Sequence, residues 1–147
     1  MAINPDYAGR TFESSEAYEV SRVKIAEFAG AIGESSPLCR DRAAAQAAGY
    51  PDVIAPPTFA IVVSAAGSAT AILDPGLGVN YAMIVHGEQS FTHTRPLHAG
   101  DVVVSQSTIE DIKRIGSMTT LATVTEIRTL DGEHVCTARS TLVERGA

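Results

Sequence analysis

The side chains of this sequence that could carry out chemistry are Glu34, Cys39 and three histidines, His86, His93 and His98. A carboxylate or an imidazole can act as a general base, and a thiol can act as a nucleophile once it is ionised. The histidines have no acidic or cysteine ligands at a recognisable spacing, so we expect no metal site. Glu34 is either a general base or a solvated carboxylate at a helix end. Cys39 has no histidine beside it in sequence, which favours an inert, partly buried thiol over a nucleophile.

Composition and charge restrict the possible partners and location. The chain has 147 residues, 45% of them hydrophobic, and a net charge of −6, which predicts one domain with a substantial core. An acidic protein attracts neither nucleic acid nor an anionic membrane, so we expect neither as a partner. The first residues lack a secretory signal, and the two cysteines form no C-x-x-C pair, so we expect a cytoplasmic protein with free thiols.

The element that must organise the fold is the apolar stretch Val53–Leu73, which contains no charged residue. Pro56 and Pro57 fit the entrance of a helix, where a missing N–H costs no hydrogen bond. The apolar residues cover all sides of this helix, which predicts a buried helix at about 57–73. A membrane span is the alternative, but the prolines shorten the helix to about sixteen residues, or roughly 24 Å, which is too short.

The segments after this helix alternate between apolar and polar residues, as β-strands do. We expect one long strand over 81–94, interrupted by a bulge or bend at His86-Gly87, because glycine is common at such points. Asp131-Gly132 predicts a type I′ hairpin, since both central positions of that turn need positive φ. The further strands, rich in β-branched residues, are expected at 102–112, 118–129 and 133–144.

The first third of the chain is predicted to add helices around the central one. Ser21 can cap an amphipathic helix that Gly33 ends, and a short helix follows at 41–48. Short strands are expected at 10–12 and 18–20. Four long antiparallel strands must curl to cover a helix, so the sequence predicts a single α+β domain, 1–147, with a curved sheet wrapped around the central helix.

Three segments of the chain, 35–59, 85–101 and 137–144, resemble the MaoC-like dehydratases and (R)-specific enoyl hydratases. The most specific part is F-x-x-x-R-P-x-x-A-G-D at Phe91–Asp101, followed by A-P-x-T-F at Ala55–Phe59. The resemblance covers nearly the whole chain and is greatest to short actinobacterial proteins similar to the N-terminal half of fungal MaoC-type dehydratases. It implies a hot-dog fold, acyl-thioester chemistry without a cofactor, and a dimer in which two sheets join edge to edge.

The chain departs from this family where active members carry their catalytic residues. Their motif D-x-N-P-x-H supplies an aspartate and a histidine that orient and deprotonate water, and the matching window here has Glu34 and Cys39 at those two positions. A thiol with a pKa of about 8.5 cannot replace an imidazole near 6.5 in proton transfer at neutral pH. Pro57 matches the glycine whose N–H binds the thioester carbonyl, and proline has no N–H. Such a donor is worth about 3–4 kcal/mol of activation barrier.

These departures predict a chain without catalytic residues of its own. The resemblance then implies a non-catalytic subunit that accommodates the acyl chain of a (3R)-hydroxyacyl-thioester dehydratase. Its partner would be a separate MaoC-like catalytic chain or a second copy of itself, and its ligand an acyl-CoA or acyl carrier protein thioester. The alternatives are a stand-alone acyl-CoA hydratase or thioesterase that uses Glu34, and an acyl-ligand binding protein.

The resemblance also suggests which residues meet the substrate. We expect Phe59, His86 and Gly87 to bind it, although His86 could instead be hydrogen-bonded within the sheet. Arg95 is expected either to hold the connection after its strand, by bonding carbonyls or Asp101, or to meet the phosphate of a pantetheine arm.

Overall fold

The computed structural model describes residues 2–146, and its elements follow the order β1, α1, α2, α3, β2, β3, β4, β5. No helix in this range is long and apolar enough to cross a membrane. The helices are α1 (Arg22–Ile32), α2 (Arg42–Ala47) and α3 (Ala60–Ile72), and the strands are β1 (Tyr18–Glu19), β2 (Ile84–His93), β3 (Val102–Ile115), β4 (Met118–Thr129) and β5 (His134–Glu144).

All the described strands join one antiparallel sheet in the order β1-β3-β4-β5-β2. Three bulges interrupt it: in β2 between His86 and Glu88, in β3 between Ile109 and Asp111, and in β5 between His134 and Cys136. The first two lie within one residue of the same transverse row, because the strands between them pair without a shift there. A bulge bends its strand and increases the local twist, so these bulges help the sheet to curl. The predicted bulge at His86-Gly87 is confirmed, although its strand begins at Ile84.

Helix α3 lies on the concave face of the sheet and packs mainly against β3. The closest approach is at Gly67, where a Cβ atom would lie 2.6 Å from the Oγ of Ser105 and 2.9 Å from its backbone C and O. Ser105 also donates a hydrogen bond from Oγ to the carbonyl of Val63, at 2.9 Å. The α+β arrangement of a curved sheet around a helix, predicted from the sequence, is confirmed.

The side of α3 that faces away from β3 is open in the single chain. Ala65, Ala66 and Leu73 are exposed there, whereas Val63 and Gly67 are buried against the sheet. Burial of the helix on all sides therefore stays a prediction for the assembled protein.

The ends of the helices follow the predicted capping signals. Ser21 accepts a hydrogen bond from the N–H of Lys24 at 3.1 Å, and Gly33 has a φ of 72°, so both predicted ends of α1 are confirmed. Before α3, Pro57–Phe59 forms a 3-10 turn, and the α-helix proper begins only at Ala60.

Two local predictions about turns and strands are wrong. A type I′ turn would need positive φ at both Asp131 and Gly132. Gly132 has a φ of 93°, but within the described residues only glycines have positive φ, so Asp131 does not and the turn is not of type I′. The N–H of Gly132 bonds the carbonyl of Thr129 instead, in a longer hairpin loop. Residues 10–12 form only an isolated bridge, between Thr11 and Thr108, instead of a strand.

Replacement of Gly67 by alanine tests the close contact between α3 and β3. Alanine gains about 1 kcal/mol of helix propensity over glycine, but overpacking costs about 1–3 kcal/mol. The methyl group would meet backbone atoms of Ser105, which cannot rotate away, so we expect a net loss of roughly 1 kcal/mol in the free energy of unfolding, measured in urea.

Gly30 in α1 is the matched control, because nothing lies within 4 Å of a Cβ atom added there. Gly30→Ala should stabilise the protein by up to about 1 kcal/mol. Equal stabilisation by Gly67→Ala would show that the contact with Ser105 is not tight.

Candidate functional site

The Glu34–Cys39 window forms a compact turn between α1 and α2. Glu34 is half-buried, and its Oε1 accepts a hydrogen bond from the N–H of Ser36 at 2.9 Å. Ser36 in turn caps a 3-10 turn, Pro37–Cys39, by accepting a hydrogen bond from the N–H of Leu38 at 3.3 Å. One oxygen of the only carboxylate in this window is therefore used to hold the turn together.

Cys39 is buried in the hydrophobic core, with 4% of its surface exposed. Burial, and then the negative charge of Glu34, raise the pKa of the Cys39 thiol, while Arg40 acts in the opposite direction. Since a free thiol already ionises above neutral pH, this thiol stays protonated at pH 7. It can serve neither as a general base nor as a ready nucleophile.

The entrance of α3 presents a carbonyl where an amide donor would be needed. Pro57 has no N–H, and its carbonyl accepts a hydrogen bond from Nε2 of His93 at 2.9 Å. Phe59, two residues further on, is fully buried and packs edge to face on Phe28, with ring centroids 5.4 Å apart. The entrance therefore offers no preorganised donor at Pro57 for a developing oxyanion.

A groove of about 200 Å³ runs between the open side of α3 and strands β5 and β2. Its walls include the apolar side chains of Ile61, Ile72 and Leu142. His86 also lines it, and Nε2 of His86 lies 3.0 Å from the carbonyl of Glu88 and 3.1 Å from Oγ of Ser140. The ring of His86 therefore lines the groove and, as the alternative predicts, is also hydrogen-bonded in the sheet.

The predicted substrate-binding residues thus have different environments. His86 lines the groove, Gly87 forms the bulge beside it, and Phe59 lies in the core. Binding of substrate by these three residues stays a prediction. Gln89 and Ser140 also line the groove, and no local sequence signal indicates this, because the face that each residue presents depends on the strand register.

Arg95 is held by acidic side chains. It donates hydrogen bonds to both carboxylate oxygens of Asp101 at 2.9 Å, to Glu133 at 2.8 Å and to the carbonyl of Pro96 at 3.0 Å. Asp101 is buried and also accepts a hydrogen bond from the N–H of His98 at 2.9 Å. These bonds use four of the five guanidinium N–H groups. The structural role predicted for Arg95 is the one that these contacts support.

Strand β2 has a free edge. The N–H of Thr94, just after the strand, bonds the carbonyl of Val135 in the chain segment of β5. Alternate residues of an antiparallel strand face the same neighbour, so the backbone groups of Gln89, Phe91 and His93 face away from β5. Within the described residues no strand pairs with them. The free edge of β2 is therefore open to pairing with another chain.

The chain matches the family model described as "FAS1-like, dehydratase domain region" over residues 6–138. A UPF0336 protein of Thermobifida fusca is 53% identical over 146 residues, which cover 99% of this chain and 96% of that protein.

Two solved structures show the same fold. One, a MaoC-like dehydratase, has a TM-score of 0.84 and 27% identity; the match covers 96% of this chain but only 43% of that longer chain. The other is the C-terminally truncated HadBC (3R-hydroxyacyl-ACP dehydratase) complex from Mycobacterium tuberculosis, with a TM-score of 0.81, 28% identity and coverage of 94% and 97%. The expected hot-dog fold and the resemblance to MaoC-like dehydratases are confirmed.

Removing the positive charge of the Arg95 side chain tests the structural role of this residue. Arg95→Met would leave the buried carboxylate of Asp101 without its ionic partner, so we expect a loss of about 3–5 kcal/mol in the free energy of unfolding. Arg139→Met is the matched control, because Arg139 pairs with Glu110 at an exposed site and should contribute less than about 1 kcal/mol. Equally small losses of unfolding free energy in both variants would contradict the structural role, and would leave the guanidinium of Arg95 available for a phosphate group.

The thiol of Cys136 should make the free energy of unfolding depend on pH in the alkaline range. Burial, and then the charge of Glu126, raise the pKa of Cys136 from 9.0 to about 11. Between these pH values the unfolded chain loses the thiol proton and the folded chain keeps it, so the free energy of unfolding falls as pH rises. Cys136→Ala should remove this part of the decrease, measured by urea unfolding from pH 8 to about pH 11. An unchanged pH profile in Cys136→Ala would contradict the raised pKa.

Proposed function

The chain belongs to the family described as FAS1-like, dehydratase domain region, and on this premise we propose that it is a non-catalytic subunit of a (3R)-hydroxyacyl-thioester dehydratase. In this role it accommodates the acyl chain and acts with a separate MaoC-like catalytic chain. Two observations together carry the proposal: the thiol of Cys39, in the turn between α1 and α2, is buried with a raised pKa, and Pro57, at the entrance of α3, has no N–H to donate.

The missing groups would each slow the reaction strongly. Removal of water from a 3-hydroxyacyl thioester needs a base for the proton next to the carbonyl and a donor for the oxyanion that develops. A positioned general base contributes about 10²–10⁴-fold, and an oxyanion donor contributes about 10²–10³-fold. The protonated, buried Cys39 supplies neither, and Glu34 has one oxygen engaged by the backbone of Ser36. A separate chain must then supply the chemistry.

The chain retains the features that a binding subunit needs. The groove beside α3 has apolar walls that can hold part of an acyl chain. The free edge of β2, ten residues long, can pair with a partner strand, and a soluble protein usually covers such an edge. The HadBC dehydratase, which is 28% identical to this chain, is described as a complex, and that description supports an assembly of two chains.

The partner in this proposal is a MaoC-like chain with an intact aspartate and histidine, and the ligand is an acyl-CoA or acyl carrier protein thioester. A homodimer would form in the absence of that partner, through the same edge. The proposal places the chain in the cytoplasm, where thiols such as those of Cys39 and Cys136 stay reduced.

Enoyl-CoA hydration by the separate and mixed chains tests the proposal. The purified chain alone should show no hydration of crotonyl-CoA or longer enoyl-CoA above background, because it lacks both groups. Addition of a MaoC-like chain encoded beside it should produce a complex in size-exclusion chromatography with mass detection, and activity well above that of either chain alone.

Two variants complete this experiment. Cys39→His should not restore activity to the isolated chain, because Pro57 still offers no N–H. Turnover by the isolated chain that Glu34→Gln abolishes would support a stand-alone enzyme and overturn the subunit proposal. A chain that stays monomeric, or a homodimer that does not react with the partner, would overturn it as well.

A further inference from the structure

The bulge in β2 places two polar side chains on the groove side of the strand. His86 pairs with Leu142 and Gln89 pairs with Ser140, and these two partners lie two residues apart in β5. Their side chains share one face of β5, so His86 and Gln89 share the corresponding face of β2. Without the bulge, residues three apart would point to opposite faces. The bulge therefore brings the imidazole and the amide to the same wall of the groove.

Gly87 permits this arrangement because it needs little space. A Cβ atom at Gly87 would lie 3.1 Å from Cγ2 of Val143 and 3.3 Å from the carbonyl of Thr141. Both distances are tighter than an ordinary contact, and the carbonyl belongs to the backbone of β5. A residue with a Cβ atom there would require Val143 or the backbone of β5 to shift by a few tenths of an ångström.

The two side chains keep hydrogen-bonding capacity that the protein does not use. Nε2 of His86 faces the carbonyl of Glu88 and Oγ of Ser140, which leaves Nδ1 as an acceptor in the neutral ring. Gln89 makes only a long hydrogen bond, from Nε2 to the carbonyl of Ser90 at 3.4 Å. A ligand in the groove could therefore meet one acceptor and an amide that can donate and accept.

His86 lies far from the entrance of α3, and Gln89 lies between the two, four residues before His93 in β2, or roughly 13 Å from it. His93 contacts Pro57 at that entrance, and His86 precedes His93 by seven residues in β2, or roughly 20 Å at about 3.3 Å per residue. Ile72, at the last residue of α3, also lines the groove. A thioester held near Pro57 would thus direct the far part of its acyl chain towards His86 and Gln89.

We infer that the groove is selective for acyl chains that carry a hydroxyl or keto oxygen far from the thioester, with Gln89 and His86 as the residues that bind it. This inference rests on the proposed acyl-binding function. An unsubstituted chain would cover these polar groups without replacing their hydrogen bonds to water, and a buried polar group without a partner is unfavourable. A distal hydroxyl can accept a hydrogen bond from Gln89 and donate one to Nδ1 of His86.

Binding of matched acyl-CoA pairs tests the inference. The probes are the ω-hydroxyacyl-CoA esters of twelve, fourteen and sixteen carbons and the corresponding unsubstituted esters, and calorimetry measures their dissociation constants with the full chain. We expect at least one length to bind about tenfold more tightly in its hydroxylated form. Gln89→Leu should reduce that preference to less than about threefold, chiefly by improving binding of the unsubstituted ester. His86→Phe should act in the same direction.

Ser90→Ala is the matched control, because Ser90 lies on the opposite face of β2 and should leave the preference unchanged. Equal binding of both forms at all three lengths overturns the inference and leaves the acyl groove of the proposed function intact. An unchanged preference in Gln89→Leu and His86→Phe overturns it as well. If neither form binds at any of the three lengths, both the inference and the acyl-binding role are overturned.

Discussion

The close contact between α3 and β3 determines where the helix lies on the sheet. At Gly67 the helix backbone approaches Ser105 so closely that a single methyl group would overlap with backbone atoms. The hydrogen bond from Ser105 to the carbonyl of Val63 fixes the same side of the helix. Because α3 is held against β3, it does not cover β5 and β2 to the same extent, and the groove lies over those two strands.

The free edge of β2 and the entrance of α3 both support the proposed subunit role. The groove is bounded on one side by β2, whose outer edge has no partner in the described chain. The start of α3 beside this strand holds Pro57 and its hydrogen bond from His93 in place of an amide donor. In the proposed function, a chain that combines this groove and edge with a protonated thiol at Cys39 and no N–H at Pro57 supports a separate catalytic chain. Cys39 packs in the core as a small apolar side chain, so a cysteine at this position is compatible with the fold.

The sequence was sufficient for features that depend on local signals. The cap at Ser21, the end of α1 at Gly33 and the position of β4 follow from capping chemistry and strand periodicity, and the structure has them at the predicted residues. The type I′ turn at Asp131-Gly132 was wrong because the residues before it form a longer loop, in which only Gly132 needs positive φ. The positions of Gln89 and Ser140 in the wall of the groove could not be predicted, because they depend on the register in which β2 pairs with β5. Which side of α3 is open in the single chain could not be predicted, since composition alone does not show against which strands a helix packs.

Hydrogen exchange along β2 tests the proposed assembly most directly. The backbone amides of Gln89, Phe91 and His93 face the free edge, whereas those of Ser90 and Thr92 face β5. Relative to the chain diluted until it is monomeric, the complex with the MaoC-like catalytic chain should show slower exchange at the first three residues, with little change in the central strand β4. Exchange at Gln89, Phe91 and His93 that is as fast in the complex as in the diluted monomer would contradict pairing through this edge, and with it the role of this chain as a subunit.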